Sequence, residues 1–173
     1  INGSYVAKIY KSYELSEDGK EVLDSEKLHK YDGAFYSKKS ININGGNKGT
    51  GILNIQAENE GLDSELHLTI NGGIINITSG NDGINTNEDN VSVTTMNGGT
   101  LNIVAIKDAI NTRDGVISGG VIYLFDKIDL GTNGTISVNG GVVLMISTTD
   151  ERQTTVGGAK FISAIVTEKE NAL

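Results

Sequence analysis

The feature that most constrains this chain is a Gly-Gly pair that recurs at Gly45-Gly46, Gly72-Gly73, Gly98-Gly99, Gly119-Gly120, Gly140-Gly141 and Gly157-Gly158. Successive pairs lie 27, 26, 21, 21 and 17 residues apart. A period of that size marks an architecture in which each unit packs only on its neighbours. Three units align without a gap as Gly51-Ile52-Leu53-Asn54-Ile55, Gly73-Ile74-Ile75-Asn76-Ile77 and Gly99-Thr100-Leu101-Asn102-Ile103. Each reaches an acid nine residues beyond its glycine, completing Glu60-Gly61-Leu62-Asp63, Asp82-Gly83-Ile84-Asn85 or Asp108-Ala109-Ile110-Asn111. A short strand follows, with Leu66, Leu68 and Ile70 alternating in one unit and Val91 and Val93 opening another.

Alternation with period two sends successive side chains to opposite faces of a strand. The rows Leu53/Ile75/Leu101 and Ile55/Ile77/Ile103 are therefore expected to point inward, and Asn54/Asn76/Asn102 outward as a ladder. Only 5% of residues are aromatic, so such a core must be filled by aliphatic side chains. Three short strands per repeat, with Gly and Asn at the corners, predict an all-β, single-stranded parallel β-helix. A meander of hairpins is the competing reading, but it would reverse direction at every turn and scramble columns that keep one register.

The expected solenoid spans residues 32–173. Residues 1–31 carry Tyr5, Tyr10, Tyr13 and Tyr31 and the charged turn Glu17-Asp18-Gly19-Lys20, and read as a hairpin cap over an open end that would otherwise be an aggregating edge. The last coil, near Val142 to Ile146, and the segment from Lys160 to Leu173 are expected to protect the other end.

Several classes fall away on composition. Without cysteine there is neither a disulfide framework nor a thiolate metal site. No run approaches the roughly 20 apolar residues of a membrane helix, so membrane insertion is not expected. The first residues lack the charged head and apolar run of a signal peptide, and the chain reads as a mature portion of a secreted protein. A net charge of −8, from 22 acids against 14 bases, argues against a nucleic-acid partner, which needs a basic stripe.

In a parallel stack, equivalent residues of successive units lie about 4.8 Å apart. Glu60, Asp82 and Asp108 then form a column of carboxylates, with Asp32 as its expected start. Two unit charges at that distance repel by about 0.9 kcal/mol in water and about 3.5 kcal/mol at an effective dielectric of 20. No lysine or arginine occupies the column to offset this. A second column stands three positions on, at Asp63, Asn85 and Asn111, with Asn87, Asp89 and Asp114 in the turns that follow. Carboxylate, amide and carbonyl oxygens are the ligands Ca²⁺ takes, so calcium between coils is the simplest neutraliser. A solvated acidic edge is the alternative, since Asp-Gly and Asn-Thr also mark ordinary turns.

The run Leu28-His29-Lys30-Tyr31-Asp32-Gly33-Ala34-Phe35-Tyr36-Ser37-Lys38, the segment Gly61-Leu62-Asp63-Ser64 and the stretch from Asn71-Gly72-Gly73 to Ser79-Gly80-Asn81-Asp82-Gly83-Ile84-Asn85 resemble bacterial secreted proteins with a carbohydrate-binding domain. These include clostridial polygalacturonate-binding β-helix proteins, similar in fold to pectate lyases. The resemblance covers roughly residues 28–146. It implies a right-handed parallel β-helix that binds calcium between coils and attaches to acidic plant polysaccharide outside the cell or at its surface. The positions it carries over are Glu60 and Asp63, Asp82 and Asn85, and Asp108 and Asn111. Two departures matter: Ala109 stands where the motif has glycine, and Lys127-Ile128-Asp129-Leu130-Gly131 lacks the first acid, so the calcium column is expected to stop there.

Three functions compete. As a calcium-loaded binding module, the chain would meet acidic glycan through bound cations and through Lys30, Lys38, Lys39 and Lys48, with Tyr31 and Tyr36 offered to sugar faces. The bland readings are a solubilising surface for the lysines and cap packing for the tyrosines. As a polyuronate lyase it would need a base beside the metal-bound uronate. Only Arg113 and Arg152 exist, and Arg113 alone lies near the acid edge; its bland reading is compensation of Asp114. Arg113 is thus a candidate ligand-binding residue, and no catalytic residue is assigned. The carboxylate, Gly-His-Gly and Arg-x-Lys signatures of pectin hydrolases are missing, and His29 and His67 lie in no such setting. The third reading is a rigid stalk or adhesin segment.

Overall fold

The computed structural model describes residues 2–28, 30–130, 134–147, 155–156 and 160–165. The chain runs through β1 (Gly3–Ala7), β2 (Tyr10–Leu15) and β3 (Val22–Lys27), then β4 (Gly33–Ser37) and β5 (Ser40–Ile43). Two similar passes follow: β6 (Ile52–Ala57), β7 (Glu60–Ser64) and β8 (His67–Ile70), then β9 (Ile74–Ser79), β10 (Ile84–Thr86) and β11 (Val93–Met96). In the next passes two strands merge into one, as β12 (Thr100–Thr112) with β13 (Asp114–Ile117), and β14 (Val121–Leu130) with β15 (Ile136–Val138). The last are β16 (Val142–Ser147), β17 (Thr155–Val156) and β18 (Lys160–Ile165).

These strands stack in three parallel ladders. Ladder A is β1, β6, β9, the first half of β12, the first half of β14, β16 and β18. Ladder B is β4, β7, β10 and the second halves of β12 and β14. Ladder C is β5, β8, β11, β13, β15 and β17. The expected all-β class and parallel pairing are observed, and the hairpin meander is not. Among the described residues the one antiparallel pair is β2 with β3.

The predicted inward rows hold. Leu53, Ile75 and Leu101 pair in register, as do Ile55, Ile77 and Ile103, and all six are buried. Ile122 and Val143 continue the first row, Leu124 and Met145 the second. Outside, Asn76 Nδ2 donates to Asn54 Oδ1 at 2.7 Å and Asn102 Nδ2 to Asn76 Oδ1 at 2.6 Å. A second amide ladder, unforeseen, links Asn97 to Asn71 and Asn71 to Asn44 just before the glycine pairs.

The glycine pairs turn the chain where successive passes nearly touch. A Cβ at Gly140 would stand 2.2 Å from the Ser118 carbonyl oxygen, which no side chain can do. Its neighbour Gly141 has φ +78°, the left-handed region glycine adopts at least cost. Gly157-Gly158 lies outside the described residues, as do His29, Arg152 and residues 166–173.

Two expectations about strands need correction. Residues 1–31 are not all cap: β1 is the first strand of ladder A, with Tyr5 opposite Ile55. Only β2 and β3 stand apart as a hairpin, fastened where the Glu58 carboxylate accepts from the Ile9 and Tyr10 amides at 2.8 and 3.0 Å. Tyr5 and Phe35 meet edge to face, with centroids 5.1 Å apart. Val91 and Val93, expected to open the third strand of their pass, do not share it: β11 starts at Val93, and Val91 is exposed in the turn before it. The inward residues of β11 are Thr94 and Met96, opposite Leu68 and Ile70, because Thr94 is held in the interior by a hydroxyl contact with Thr86.

Candidate functional site

The repeat places its acids at the corner where ladder A hands over to ladder B. Asn85 lies opposite Asp63 on one side and Asn111 on the other. The same register sets Glu60, Asp82 and Asp108 in line, and the Gly61 and Gly83 amides donate to the Asp82 and Asp108 carbonyls at 3.1 and 2.9 Å. All three acids are buried, with 6%, 2% and 1% of their surface exposed. The main-chain fold puts them there, since each precedes a glycine or alanine packed under the next pass.

Amides from the second column offset part of the burial. Asn85 Nδ2 donates to Glu60 Oε1 at 2.8 Å, and Asn111 Nδ2 to Asp82 Oδ2 at 3.0 Å. The Asp108 amide reaches Asp82 Oδ1 at 3.3 Å. Glu60 Oε2 and Asn85 Oδ1 are buried and receive no donor. Burial, then the negative charges of Asp63, Asp82 and Asp32, push the Glu60 carboxyl up to about 8 against the pull of Asn85. Burial raises Asp63 to about 6, opposed by a hydrogen bond with Glu60 and assisted by Asp32 and Glu65. Two carboxyl groups thus share a contact that only a proton or a cation can make attractive.

The residues present fit a hard cation in one respect. Donor-less carboxylate and amide oxygens belong to hydrogen-bonded neighbours, Glu60 and Asn85, in a buried, anionic corner. Among the described residues no three acid or histidine side chains converge as a ready-made cage. A cation here would therefore draw on amide and main-chain oxygens as well as carboxylates.

The other expected ligands are dispersed. Asp32 is one residue out of the column: Gly33, not Asp32, lies opposite Glu60, and the Asp32 carboxylate pairs with Lys27 Nζ at 2.5 Å. Asn87 and Asp89 are exposed in the turn after β10 and hold no register position. Asp114 accepts from the Thr135 amide at 2.7 Å and hydroxyl at 3.1 Å, and sits 3.0 Å from Arg113 Nη1. Arg113 is thereby engaged as the compensating partner of Asp114. Lys127 stands opposite Asp108, so the first column ends where expected, while Asp129 continues the second.

Of the proposed sugar contacts, the structure gathers three. Tyr31 and Tyr36 stack with centroids 3.9 Å apart, and Lys30 Nζ lies 5.7 Å from the Tyr31 ring centre. Tyr36 is opposite Asp63, so the aromatic pair heads the second oxygen column. Its hydroxyl donates to Glu65, and that contact raises it above the ordinary tyrosine range. Lys38 and Lys39 are exposed at the turn between β4 and β5, and Lys48 is exposed in the turn before β6.

Sequence reasoning missed a groove of about 710 Å³ across the outer face of ladder A, with the Asn54/Asn76/Asn102 ladder on its floor and Tyr123 and Phe125 at one end. The signal was available: in Val121-Ile122-Tyr123-Leu124-Phe125 the aromatics occupy the outward phase of the alternation.

A family model of carbohydrate-binding domain-containing proteins matches residues 7–168. Neither the curated proteins nor the solved structures searched contain a match to the chain.

Proposed function

The chain belongs to the carbohydrate-binding domain-containing proteins, and from that premise we propose that it attaches to acidic polysaccharide of the polygalacturonate type through Ca²⁺ held at the buried acid corner. The observation that carries this reading is the pair of donor-less oxygens, Glu60 Oε2 and Asn85 Oδ1, at one end of a row of buried carboxylates. Glu60, Asp63, Asp82, Asn85, Asp108 and Asn111 would hold the metal. Bound calcium would supply positive charge, which a chain of net charge −8 needs to meet a polyanion. The stacked Tyr31 and Tyr36, with Lys30, would flank the corner and orient a uronate chain.

We read the three ladders as faces of a right-handed, single-stranded parallel β-helix like that of pectate lyases. The passes opened by β6, β9, β12 and β14 each contribute to all three ladders, which supports it, and parallel crossovers are right-handed in nearly all cases. A secreted or cell-surface location accords with a glycan partner.

Binding rather than elimination is the proposed activity. A lyase base must be free to take a proton, and Arg113 is ion-paired with Asp114 at 3.0 Å. Electrophoresis through gels containing polygalacturonate tests the reading. Retardation with calcium that chelation abolishes is expected, with no rise in ultraviolet absorbance from an unsaturated product. Absorbance growth lost in Arg113→Ala would make it a lyase, and failure to bind any acidic glycan despite calcium uptake would leave a rigid stalk.

A further inference from the structure

The outer face of ladder A is a second surface with different chemistry. Its groove crosses β1, β6, β9, β12 and β14, a span of roughly 19 Å at the strand spacing. Charged residues make up 21% of the chain, yet none lines this groove. Its ligand is therefore uncharged, because a polyanion or polycation would lose its hydration there and find no counter-charge.

The polar groups that remain suit hydroxyls. Each ladder asparagine uses one N–H in the row, and Asn54 and Asn76 also use Oδ1 to accept from the next amide. A primary amide has a second N–H and its oxygen two lone pairs, so each still presents at least one donor and one acceptor. These repeat about every 4.8 Å along the groove. At its far end Tyr123 and Phe125 are 40% and 48% exposed, and Val104 beside them is 49% exposed. Tyr123 lies opposite Asn102 and Phe125 opposite Val104, so the amide row runs directly into an aromatic platform. Amides spaced along a line and ending at ring faces match a chain that alternates hydroxyl edges with apolar ring faces.

We propose that this face is a calcium-independent binding site for an uncharged, extended glycan, separate from the acid corner. The proposal rests on the carbohydrate-binding reading for the class of ligand, and on the charge-free groove for its neutrality. A second copy of the chain is the weaker occupant, since two molecules of net charge −8 repel and would cover amide groups that need partners.

The test uses galactomannan and xyloglucan as uncharged probes and polygalacturonate as the acidic one, with affinity electrophoresis of the whole chain in EDTA and in calcium. The uncharged probes should retard the protein equally in both conditions. Tyr123→Ala should weaken that retardation about three- to tenfold, the effect of losing one aromatic contact, and Asn102→Ala should weaken it as well. Circular dichroism and the melting temperature establish that each variant is folded; both residues face solvent. The proposal fails if neither uncharged probe retards the protein in EDTA, or if the double variant Tyr123→Ala/Phe125→Ala is retarded as strongly as the parent. It also fails if ultracentrifugation finds a dimer that Tyr123→Lys dissolves, for the face would then be a self-contact. Loss of the polygalacturonate shift alone would count against the acid corner and leave this site standing.

Discussion

The side-chain amide of Asn85 donates to Oε1 of Glu60 across one strand step of ladder B, at 2.8 Å, while the second oxygen of that carboxyl receives no donor. One amide does not compensate a buried charge, and Glu60 is pushed up to about 8, Asp63 to about 6. Acids whose folded-state values lie above their unfolded ones bind more protons when folded. Their contribution is full below the unfolded value and is lost as pH rises through the folded one. In EDTA the melting temperature should fall between about pH 5 and about pH 9, and Glu60→Gln should remove most of that slope. A flat profile in the parent would mean that the corner is more hydrated than its geometry implies.

Calcium should reverse that trend, because a cation binds the deprotonated carboxylates and its affinity rises with pH. Metal that binds only the folded chain adds about 2.7 kcal/mol at a hundredfold excess over its Kd, so chelation at neutral pH should lower the melting temperature. Asp82→Ala removes the central carboxylate of the row and should reduce the calcium stoichiometry measured by calorimetry. An unchanged stoichiometry would place the metal elsewhere.

The two faces of β9 differ by one residue. Ile77→Asp buries an unpaired carboxylate at a position 2% exposed and should abolish folding, seen as loss of the cooperative melt. Asn76→Asp loses one amide donor on the outside and should cost about 1 kcal/mol. Similar losses for both would contradict the inward and outward assignment.

Gly83 is pressed between neighbours: a Cβ there would meet Ile103 Cγ2 at 2.3 Å and the Ala109 carbonyl oxygen at 2.6 Å. Gly83→Ala should therefore destabilise by about 1 to 3 kcal/mol in denaturant melts, the usual cost of overpacking. Gly46→Ala, where no atom lies within 4 Å but φ is +71°, should cost less, because only backbone strain is added.

The core rows and the acid row were legible because a parallel stack asks the same of the same position in every pass. Ile55, Ile77 and Ile103 recur for that reason, and so do Glu60, Asp82 and Asp108. What failed was register at the ends of the repeat. Asp32-Gly33-Ala34 imitates the motif but slips by one, with Gly33 opposite Glu60; a Cβ at Gly33 would stand 2.5 Å from Asp63 Cβ. Ala109 tolerates its methyl group because the pairing with β14 shifts there, leaving it as a bulge. The place of Tyr5 in ladder A was hidden because β1 and the hairpin after it share a tyrosine-rich composition, and composition does not record which strand a segment joins.

The outer amide row has a direction. Asn102 donates to Asn76, Asn76 to Asn54, and Asn54 Nδ2 to the Ser4 hydroxyl at 3.0 Å, so every link points toward the first strand. Small dipoles laid head to tail make the row vectorial, with its last carbonyl facing the Tyr123 end. A polymer whose two ends differ chemically therefore meets two unequal settings when it lies along this row one way or the other. At such a site, the direction in which a chain runs would matter as well as what it is made of.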